Sequence, residues 1–551
     1  MKVKPLLQKI NTKTFIDDLL TAYGVRCDID SYLNPSPILF EDCNNYENMS
    51  EAYSLLMSTI NHENNLDNIY LIQDSDADGV CSAGLLYMYL KNISPDINIQ
   101  VLFHQGKQHG LYMGNLKQIQ DNSLILLPDA SVADKKAIFD LLIKKNCFCI
   151  ETDHHDTNHT HPNIITINNQ RSDRVHNKDL SGAGVTFKFC QYIDEQLESD
   201  FAEEYYDMVA VTIVSDICNL TSEENRAFLY CGLESGRVKN PLLKLMYQEL
   251  AKDSYFPKDT GWSVAPKINA LCRVGEQEGK ELFFNALVGQ ADIEDALAVA
   301  KKAHNKQSRE VKKIVDELEP SLDLSHNVII TYIEQDDRAY SGLIANRISG
   351  KYNKTTLILS ERTSEIFSGS VRSPIDIASI INETKLAKCQ GHESACGILI
   401  HKENVDKLIT WFDEQELDDG IPVTASITPK QATVGLARRC STHSHLWGKG
   451  VEAPTFYITG QIHGSKVNIY QKRNNTIKFN IDGVEFLKFR ASEEEVEIFS
   501  QNKLMDVKMI VTLELNEWRG RVAAQGLIEE YKISMAEQKE LNNSNNWKDL
   551  F

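Results

Sequence analysis

Between about residues 65 and 215, short apolar runs alternate with stretches of helical periodicity. The runs are NIYLI (68–72), LILL (124–127) and CFCI (147–150), and between them 80–90 and 132–143 carry apolar side chains at three- and four-residue spacing. Apolar runs of this length, separated by amphipathic helices, are typical of strands buried on both faces of a parallel sheet. The pattern therefore predicts an α/β domain with a parallel sheet.

The pattern changes twice further along the chain. Residues 285–318 are rich in Ala, Lys and Glu at helical spacing and stop near Pro320, which predicts one or two long helices as a connector between domains. The apolar runs 328–332 and 356–359 predict a second, smaller α/β unit. After about residue 425, closely spaced short strands with turn signals such as Asp482-Gly483 predict a small β-barrel or sandwich.

These patterns divide the 551 residues into five parts. We predict an N-terminal segment with the parallel-sheet domain over 1–284, the helical connector over 285–320, the smaller α/β domain over 321–424, the β-barrel over 425–535 and a solvated tail over 536–551. Several separate domains are what a chain of this length requires, because single hydrophobic cores stop growing well below it.

Composition narrows the class of protein. The chain has 58 Lys+Arg and 78 Asp+Glu, a formal net charge of −20, and 42% hydrophobic residues. These fractions exclude disordered and low-complexity scaffolds, and no apolar stretch has the length of a membrane span or the pattern of a secretory signal. The twelve cysteines include no CxxC pair and suit free thiols in a reducing compartment, so we expect a cytoplasmic protein, and one without a membrane partner. The negative charge argues against nucleic-acid binding over the whole surface, since such binding depends on neutralising phosphates.

Acidic residues and histidines follow the predicted strands. They are Asp74, Asp76 and Asp78 after the first run, Asp129 after the second, Asp153, His154 and His155 after the third, and Asp216 at the end of a helical run. The carboxyl ends of parallel strands meet at one edge of a sheet, so these side chains are expected to converge there. The string DSDADG also begins a calcium-binding loop, but Leu85 stands where that loop needs Glu, and the string follows a strand rather than a helix.

An Asp and His set without Cys suits Mn²⁺ or Mg²⁺ better than structural zinc. Carboxylates this close would repel one another unless cations lay between them. Two cations that share one carboxylate are an arrangement for in-line attack on phosphorus. The sequence therefore predicts hydrolysis of a phosphoester.

At these positions the chain resembles the DHH superfamily of phosphoesterases, and within it the RecJ family of single-strand-specific 5′-to-3′ exodeoxyribonucleases. Besides the acids and the two histidines, the resemblance rests on SGAGVTFK (181–188), ENR (224–226), PKINA with Arg273, SGSVRS (368–373), the Gly391-His392 pair and VEAPTF (451–456). It extends over about 65–535 in the family's order. Lys267 and Gln390 depart from the family, which has Arg and Gly at these positions.

The resemblance implies a role for each residue. Asp76, Asp129 and Asp216 would bind two Mn²⁺ or Mg²⁺ ions together with His154, with Asp129 between the ions and with Asp74 and Asp78 in the same group of ligands or just outside it. Asp153 would orient an imidazole, and His155 would contact the scissile phosphate. Arg372 and His392 would act on the phosphate from the opposite domain, beside Ser370, Ser373 and Gly391, and Arg273, Lys267 and Asn269 would hold the 5′ end.

The resemblance also implies a DHH domain, a DHHA1 domain and an OB barrel that guides single-stranded DNA to a processive nuclease of DNA repair or recombination. The barrel segment carries nearly equal numbers of acidic and basic residues, and aromatic and cationic side chains alternate in 470–473, 486–490 and 518–521. Such stretches suit sequence-tolerant binding of single strands. We expect a monomer, with a single-stranded-DNA-binding protein or a helicase as its protein partner.

Two other functions remain open from the sequence. One is a phosphodiesterase of the same chemistry that acts on short oligonucleotides or cyclic dinucleotides, for which an OB barrel is unnecessary. The other is a non-catalytic DNA-binding protein descended from a nuclease. Loss of ligands would be expected in that second case, whereas every acid and both histidines stand in this chain.

Overall fold

The structure is a computed structural model that describes residues 1–104, 108–132, 136–157, 159–252, 254–392, 394–415, 420–471, 474–518 and 521–535, with the backbone alone at 235, 392, 518 and 535. The chain forms two compact units. One is residues 30–417, and the other combines residues 1–29 with the chain from 418 onward.

The chain begins with β1 (Val3–Pro5) and α1 (Phe15–Tyr23). The parallel sheet and its helices follow as α2 (Ile29–Leu33), α3 (Met49–Ile60), β2 (Asn68–Gln73), α4 (Ala77–Ile93), β3 (Ile99–Phe103), α5 (Met113–Gln118), β4 (Ser123–Pro128), α6 (Lys136–Lys145), β5 (Phe148–Asp153), β6 (Ile164–Asn168) and α7 (Gly182–Leu197). Next come α8 (Tyr206–Ser215), α9 (Glu223–Leu233), α10 (Pro241–Gln248), α11 (Pro257–Asp259), α12 (Ala265–Val274), α13 (Gln277–Leu287) and α14 (Ile293–Leu318).

The sheet has the order β3-β2-β4-β5-β6, and all of its strand pairs are parallel. Every residue of β4 is buried, as is every residue of β2 after Asn68. The long helix α4 is buried along almost its whole length, because it packs against α7 and α8 as well as the sheet. The uninterrupted apolar runs in the sequence are therefore strands covered on both faces, as predicted.

Helix α14 is the predicted connector, but it begins at Ile293 rather than near 285. The chain breaks after α13 because Gly289 adopts a left-handed φ of 79°, and the Asp292 side chain then caps α14 by accepting from the N–H groups of Glu294 and Asp295. One stripe of α14 is buried, which includes Ala296, Ala300 and Val311.

The rest of the first unit is a smaller α/β region. It contains β7 (Val328–Tyr332), α15 (Ser341–Tyr352), β8 (Thr355–Glu361), β9 (Ile366–Arg372), α16 (Ala378–Thr384), β10 (Ala387–His392), β11 (Ala395–His401) and α17 (Val405–Glu414). Its sheet has the order β10-β11-β9-β8-β7, in which only β7 and β8 pair in parallel. The sequence predicted this α/β region but not the antiparallel strands.

The second unit is mostly β-structure. It contains β12 (Ile421–Val423), β13 (Ala425–Ile427), α18 (Val434–Thr442), β14 (Thr455–His463), β15 (Asn468–Gln471), β16 (Asn475–Ile481), β17 (Val484–Ala491), α19 (Glu493–Ser500), β18 (Leu504–Trp518) and β19 (Arg521–Met535). Seven of these strands form one sheet in the order β13-β14-β18-β19-β17-β16-β15. The predicted tail, 536–551, lies outside the described residues.

The N-terminal segment belongs to a different unit from the one that the sequence pattern predicts. The sequence pattern groups residues 1–29 with the parallel-sheet domain, whereas they belong to the second unit. Strand β1 pairs in parallel with β12, and the Phe15 ring lies 6.1 Å from the Phe456 ring. Such long-range pairing leaves no local signal in the sequence. None of the described helices has both the length and the hydrophobicity needed to cross a membrane.

Candidate metal and substrate site

Three of the predicted acids lie around His154 at the carboxyl edge of the parallel sheet. His154 Nε2 lies 3.4 Å from Asp129 Oδ1 and 4.0 Å from Asp78 Oδ2, and its Nδ1 lies 3.6 Å from Asp216 Oδ2. Asp129 follows β4, His154 follows β5, and Asp78 and Asp216 stand at the ends of α4 and α8. Four separate elements therefore bring their side chains to one point.

The string DSDADG turns the chain from β2 into α4. The Asp76 side chain caps the helix by accepting from the Gly79 N–H at 3.1 Å. A Cβ at Gly79 would lie 2.5 Å from Cβ of Asp74, so this close turn requires glycine. The Asn269 side chain accepts from the Ala77 N–H at 2.8 Å and fixes the same turn from α12.

Asp129 has an unusual backbone conformation for a residue that is not glycine. Its φ is +57°, and its N–H donates to the Thr152 carbonyl at 2.8 Å. Helix α7 approaches so closely that a Cβ at Gly182 would lie 2.3 Å from Asp129 Oδ1. That oxygen is buried and has no hydrogen-bond donor among the described residues. An unsatisfied buried carboxylate oxygen at a strained position indicates a ligand site.

Two of the acids are already bound by protein donors. Asp78 accepts from the Gly182 and Ala183 N–H groups, both at 2.8 Å, and from Ser82 Oγ at 3.1 Å. Asp74 lies 2.6 Å from His109 Nδ1 and accepts from the Gly110 N–H at 3.2 Å.

At this edge there are three sets of residues whose donor atoms, within each set, lie within 4.8 Å of one another, which is close enough to share a cation. They are Asp78, His154 and Asp216; Asp129, His154 and His155; and Asp74, Asp76 and His109.

Charge repulsion and burial act together on these acids. Burial, followed by the charges of Asp78 and Asp76, raises the pKa of Asp129 well above its usual range. Burial is also the main cause that raises the pKa of Asp78 to about 7, although His154 opposes it. Divalent cations would remove this penalty by compensating the charges. The donor set, oxygen with imidazole nitrogen, suits Mn²⁺ or Mg²⁺.

Asp153 holds His155 rather than His154. Its Oδ1 accepts from the N–H groups of His154 and His155 at 2.9 and 3.3 Å and lies 2.8 Å from His155 Nδ1. Burial lowers the pKa of His155, but the hydrogen bond and charge of Asp153 outweigh it and raise that pKa to about 9. For Asp153, burial acts to raise the pKa, but the hydrogen bond and charge of His155 outweigh it, so the pKa is lowered. The raised pKa favours the protonated imidazole of His155, whose side chain is 59% exposed.

A cavity of about 340 Å³ adjoins the acids. Its lining includes Ser75, Asp76, His109, Arg273, Ser370, Arg372, Gln390 and Gly391. The structure therefore brings together Arg372, Ser370, Gly391 and Arg273 of the predicted substrate residues. The Arg372 guanidinium donates to the Val371 carbonyl at 2.8 Å, which fixes its stem.

The other predicted substrate residues contact other parts of the protein. Ser373 Oγ lies 2.8 Å from Thr355 Oγ1, and Lys267 Nζ donates to the Ser263 carbonyl at 2.7 Å and pairs with Glu249. Neither lines the cavity. Asn269 positions the start of α4 through the Ala77 N–H, and the His392 side chain lies outside the described residues.

Sequence reasoning missed His109 and the N–H groups that open α7. The segment 104–111 matches the family only loosely, so His109 gave no motif signal. The backbone donors of Gly182 and Ala183 have no side-chain signature. Only the crossing of α4 and α7 brings them to Asp78.

In the second unit, Tyr470 and Phe489 are 50% and 53% exposed, whereas Phe486 is buried. Phe489 lines a cavity of about 820 Å³ with Lys488 and Arg490. Of the other aromatic-cationic positions, Lys472, Arg473, Arg519 and the Trp518 side chain lie outside the described residues.

Comparison with known families agrees with this arrangement. The model of the DHH family, N-terminal domain, matches residues 68–213, and the model of the RecJ OB domain matches residues 423–530. The first of these segments is therefore similar to a DHH domain, and the second is similar to a RecJ OB domain. The resemblance inferred from the motifs is confirmed, as is the fold class of a parallel-sheet DHH domain with a C-terminal OB-like domain.

Related proteins cover most of the chain. The putative SPbeta prophage-derived single-strand DNA-specific exonuclease YorK of Bacillus subtilis (strain 168) is 29% identical over 524 residues, which is 88% of this chain and 90% of that protein. The single-stranded-DNA-specific exonuclease RecJ of the same organism is 21% identical over all of this chain and 72% of its own length.

The crystal structure of Thermus thermophilus RecJ in complex with Mn²⁺ matches 97% of this chain and 79% of its own, with a TM-score of 0.73 and 20% identity. At this identity the likeness establishes the fold.

Proposed function

We propose that the protein is a metal-dependent exonuclease that hydrolyses phosphodiester bonds of single-stranded DNA processively from the 5′ end. The observation that carries this proposal is the position of Asp76, which offers a donor atom close to those of Asp74 and His109 and also lines the cavity of Arg372 and Arg273. Groups for binding divalent cations and groups for binding phosphate thus meet at one residue. The single-strand DNA-specific exonucleases among the relatives support the choice of substrate.

Divalent cations would be held by Asp76, Asp129, His154 and Asp216 and would supply Lewis-acid activation of the phosphate and of water. Asp74 and Asp78, which are bound by protein donors, keep these ligands in place.

The remaining residues act on the phosphate. The guanidinium of Arg372 and the hydroxyl of Ser370 bind its oxygens across the cavity. The cationic His155, held by Asp153, stabilises the negative charge that develops in the transition state. Arg273, at the same cavity, binds a phosphate toward the 5′ end. The exposed Phe489 and Tyr470 of the second unit stack on bases of the incoming strand.

The test is a time course with Mn²⁺ and single-stranded DNA of graded length, labelled at either end, with duplex DNA and RNA of the same sequence beside it. The expected result is early release of labelled mononucleotide from the 5′-labelled strand and slow or no cleavage of duplex and RNA. Early release from the 3′ label would overturn the polarity. Activity confined to dinucleotides or cyclic dinucleotides would replace the exonuclease by the small-substrate phosphodiesterase.

A further inference from the structure

Glu151 is a fully buried acid on an interior strand of the parallel sheet. It belongs to β5, which lies between β4 and β6, and it stands in register with Leu127 and Thr166 of these two strands. Transfer of a carboxyl group from water to such a place is costly unless hydrogen bonds replace the lost solvent. An acid therefore persists here only if its contacts compensate for burial.

Three donors from three different segments surround this side chain. Oε1 accepts from the Val132 N–H at 2.6 Å, and Oε2 accepts from the Thr166 hydroxyl at 2.6 Å. His159 Nε2 lies 3.1 Å from both oxygens. The neutral ring of His159 can donate from Nε2, so this contact does not require a charged imidazole. Val132, Thr166 and His159 are all buried, like the acid that they bind.

Two of these donors lie in the segments that carry predicted metal ligands. Val132 stands three residues after Asp129, in the segment that follows β4. His159 stands five residues after His154, in the segment that follows β5. Glu151 therefore connects the segment of one ligand to the segment of another.

Further contacts extend this connection along the sheet edge. Leu111, which follows β3, forms a parallel bridge with Val132. The Asn168 side chain, at the end of β6, donates to the His155 carbonyl at 2.9 Å. The segments after β3, β4 and β5 are thus held to one another and to β6, and Glu151 is the side chain between the two that carry Asp129 and His154.

A buried acid with several donors can also have a purely structural role. Asp194 of α7 is such a group, because it lies about 18 Å along the helix from Gly182, which is the residue near the acids. It accepts from three donors, which are the hydroxyls of Tyr89 and Ser199 and the Ala202 N–H. Glu151 differs from Asp194 in that two of its donors belong to the segments of metal ligands.

We infer that Glu151 is a positioning residue for the metal site, and that with His159 it holds Asp129 and His154 at the spacing that binds the cations. The inference rests on the proposed function, which gives those cations their role in cleavage. Hydrogen-bonded groups behind metal ligands contribute about 10- to 100-fold in metal affinity or activity.

The experiment compares His159→Leu with Thr166→Val, because each variant removes one donor from the same carboxyl group. His159 belongs to the segment of His154, whereas Thr166 lies within β6. His159→Leu should weaken Mn²⁺ binding by metal-free protein, measured by calorimetry, and lower kcat about 10- to 100-fold with little change in KM. Thr166→Val should lower the melting temperature but keep the Mn²⁺ affinity and kcat near the wild-type values.

Glu151→Leu and Glu151→Gln test the carboxyl group itself. Gln keeps an oxygen that can accept from the Val132 N–H, so it should restore most of the Mn²⁺ affinity and kcat that Glu151→Leu loses. Asp194→Leu is the matched control for loss of a buried acid, and it should melt early but bind Mn²⁺ like the wild type. If Glu151→Leu does not fold, the comparison of His159→Leu with Thr166→Val decides.

Wild-type Mn²⁺ affinity and kcat in folded His159→Leu would overturn the inference. Equal losses in His159→Leu and Thr166→Val would also overturn it, because Glu151 would then act only through the stability of the fold. A wild type that binds Mn²⁺ but does not degrade single-stranded DNA would overturn the proposed function instead. The Mn²⁺ affinities of the variants would in that case still decide whether Glu151 positions the ligands.

Discussion

The candidate functional side chains are buried at the edge of the parallel sheet but exposed on the OB-like unit. At the sheet edge, Asp78 and Asp129 are buried, and backbone groups of other elements lie against them. On the OB-like unit, Tyr470 and Phe489 are about half exposed. The side chains of the first region are held by neighbouring elements, whereas those of the second are open to solvent.

This difference predicts how each region responds to mutation. Buried and crowded groups cannot relax, so a single change at the sheet edge should cost orders of magnitude in activity. Exposed aromatic groups contribute separately to binding, so a change there should weaken affinity by a modest factor and leave the chemical step intact.

Asp129→Asn should lower kcat by on the order of 10³-fold, because it removes a ligand charge at the centre of the cluster. Asn tolerates the left-handed backbone that Asp129 adopts, so the fold should be preserved. Single-turnover cleavage of labelled single-stranded DNA measures the effect. Asp140→Asn is the control, since Asp140 is an exposed acid on α6 that pairs with Lys136. Comparable activity in both variants would contradict the role of the sheet edge.

Gly182→Ala should reduce kcat by about 10²-fold, because a new Cβ would displace the Asp129 carboxylate or the start of α7. The matched control is Gly350→Ala in α15, where a Cβ meets nothing within 4 Å. That control should leave activity unchanged and stabilise the protein by about 0.5–1 kcal/mol. Kinetics together with thermal melting give both quantities. If the two glycines behave alike, crowding at Asp129 is not what organises the site.

Arg372→Ala should lower kcat/KM by about 10- to 100-fold, the range expected when hydrogen bonds to a charged phosphate are lost. Arg372→Lys should recover only part of this loss, since an ammonium cannot reproduce the planar guanidinium. Steady-state kinetics on labelled single-stranded DNA measure both. Arg309→Ala, at an exposed position of helix α14, serves as the control for the loss of one positive charge. An equal effect of Arg309→Ala would mean that Arg372 contributes only a general electrostatic attraction of the DNA.

Phe489→Ala should weaken binding of single-stranded DNA about five- to ten-fold, with little change in kcat, because it removes one stacking surface. Leu504→Ala, at a residue that is 44% exposed on β18, should bind like the wild type. Phe486→Ala should instead destabilise the unit by about 3–5 kcal/mol, since that ring is fully buried. Anisotropy and melting distinguish these cases. A fall in kcat with Phe489→Ala would contradict the division between the two regions.

The same difference explains what could be predicted from the sequence. Acids directly after apolar runs identified the sheet edge, because strand ends in a parallel sheet converge. Asp129 and His154 could thus be placed together from the sequence alone, although 25 residues of chain separate them. The separate contacts of each acid could not be predicted. That Asp78 accepts from α7 and Asp74 contacts His109 depends on tertiary crossings that no local pattern records.

Features that depend on pairing between distant parts of the chain could not be predicted from the sequence either. The N-terminal strand β1 pairs with β12, which lies more than 400 residues away in the chain. Lys267 has the residue type expected of a phosphate contact, yet its ammonium is bound to Glu249 and to the Ser263 carbonyl. Residue type and motif position gave the candidate groups, and packing decided which of them reach the cavity.

Counting the cations at the sheet edge tests the central claim most directly. Crystals soaked in Mn²⁺, with data collected at the manganese absorption edge, should show two anomalous peaks among Asp76, Asp129, His154 and Asp216, and at most one in Asp129→Asn. A single peak in the wild type would remove the two-metal mechanism. No peak at these residues, in protein that degrades single-stranded DNA, would contradict the assignment of the site itself.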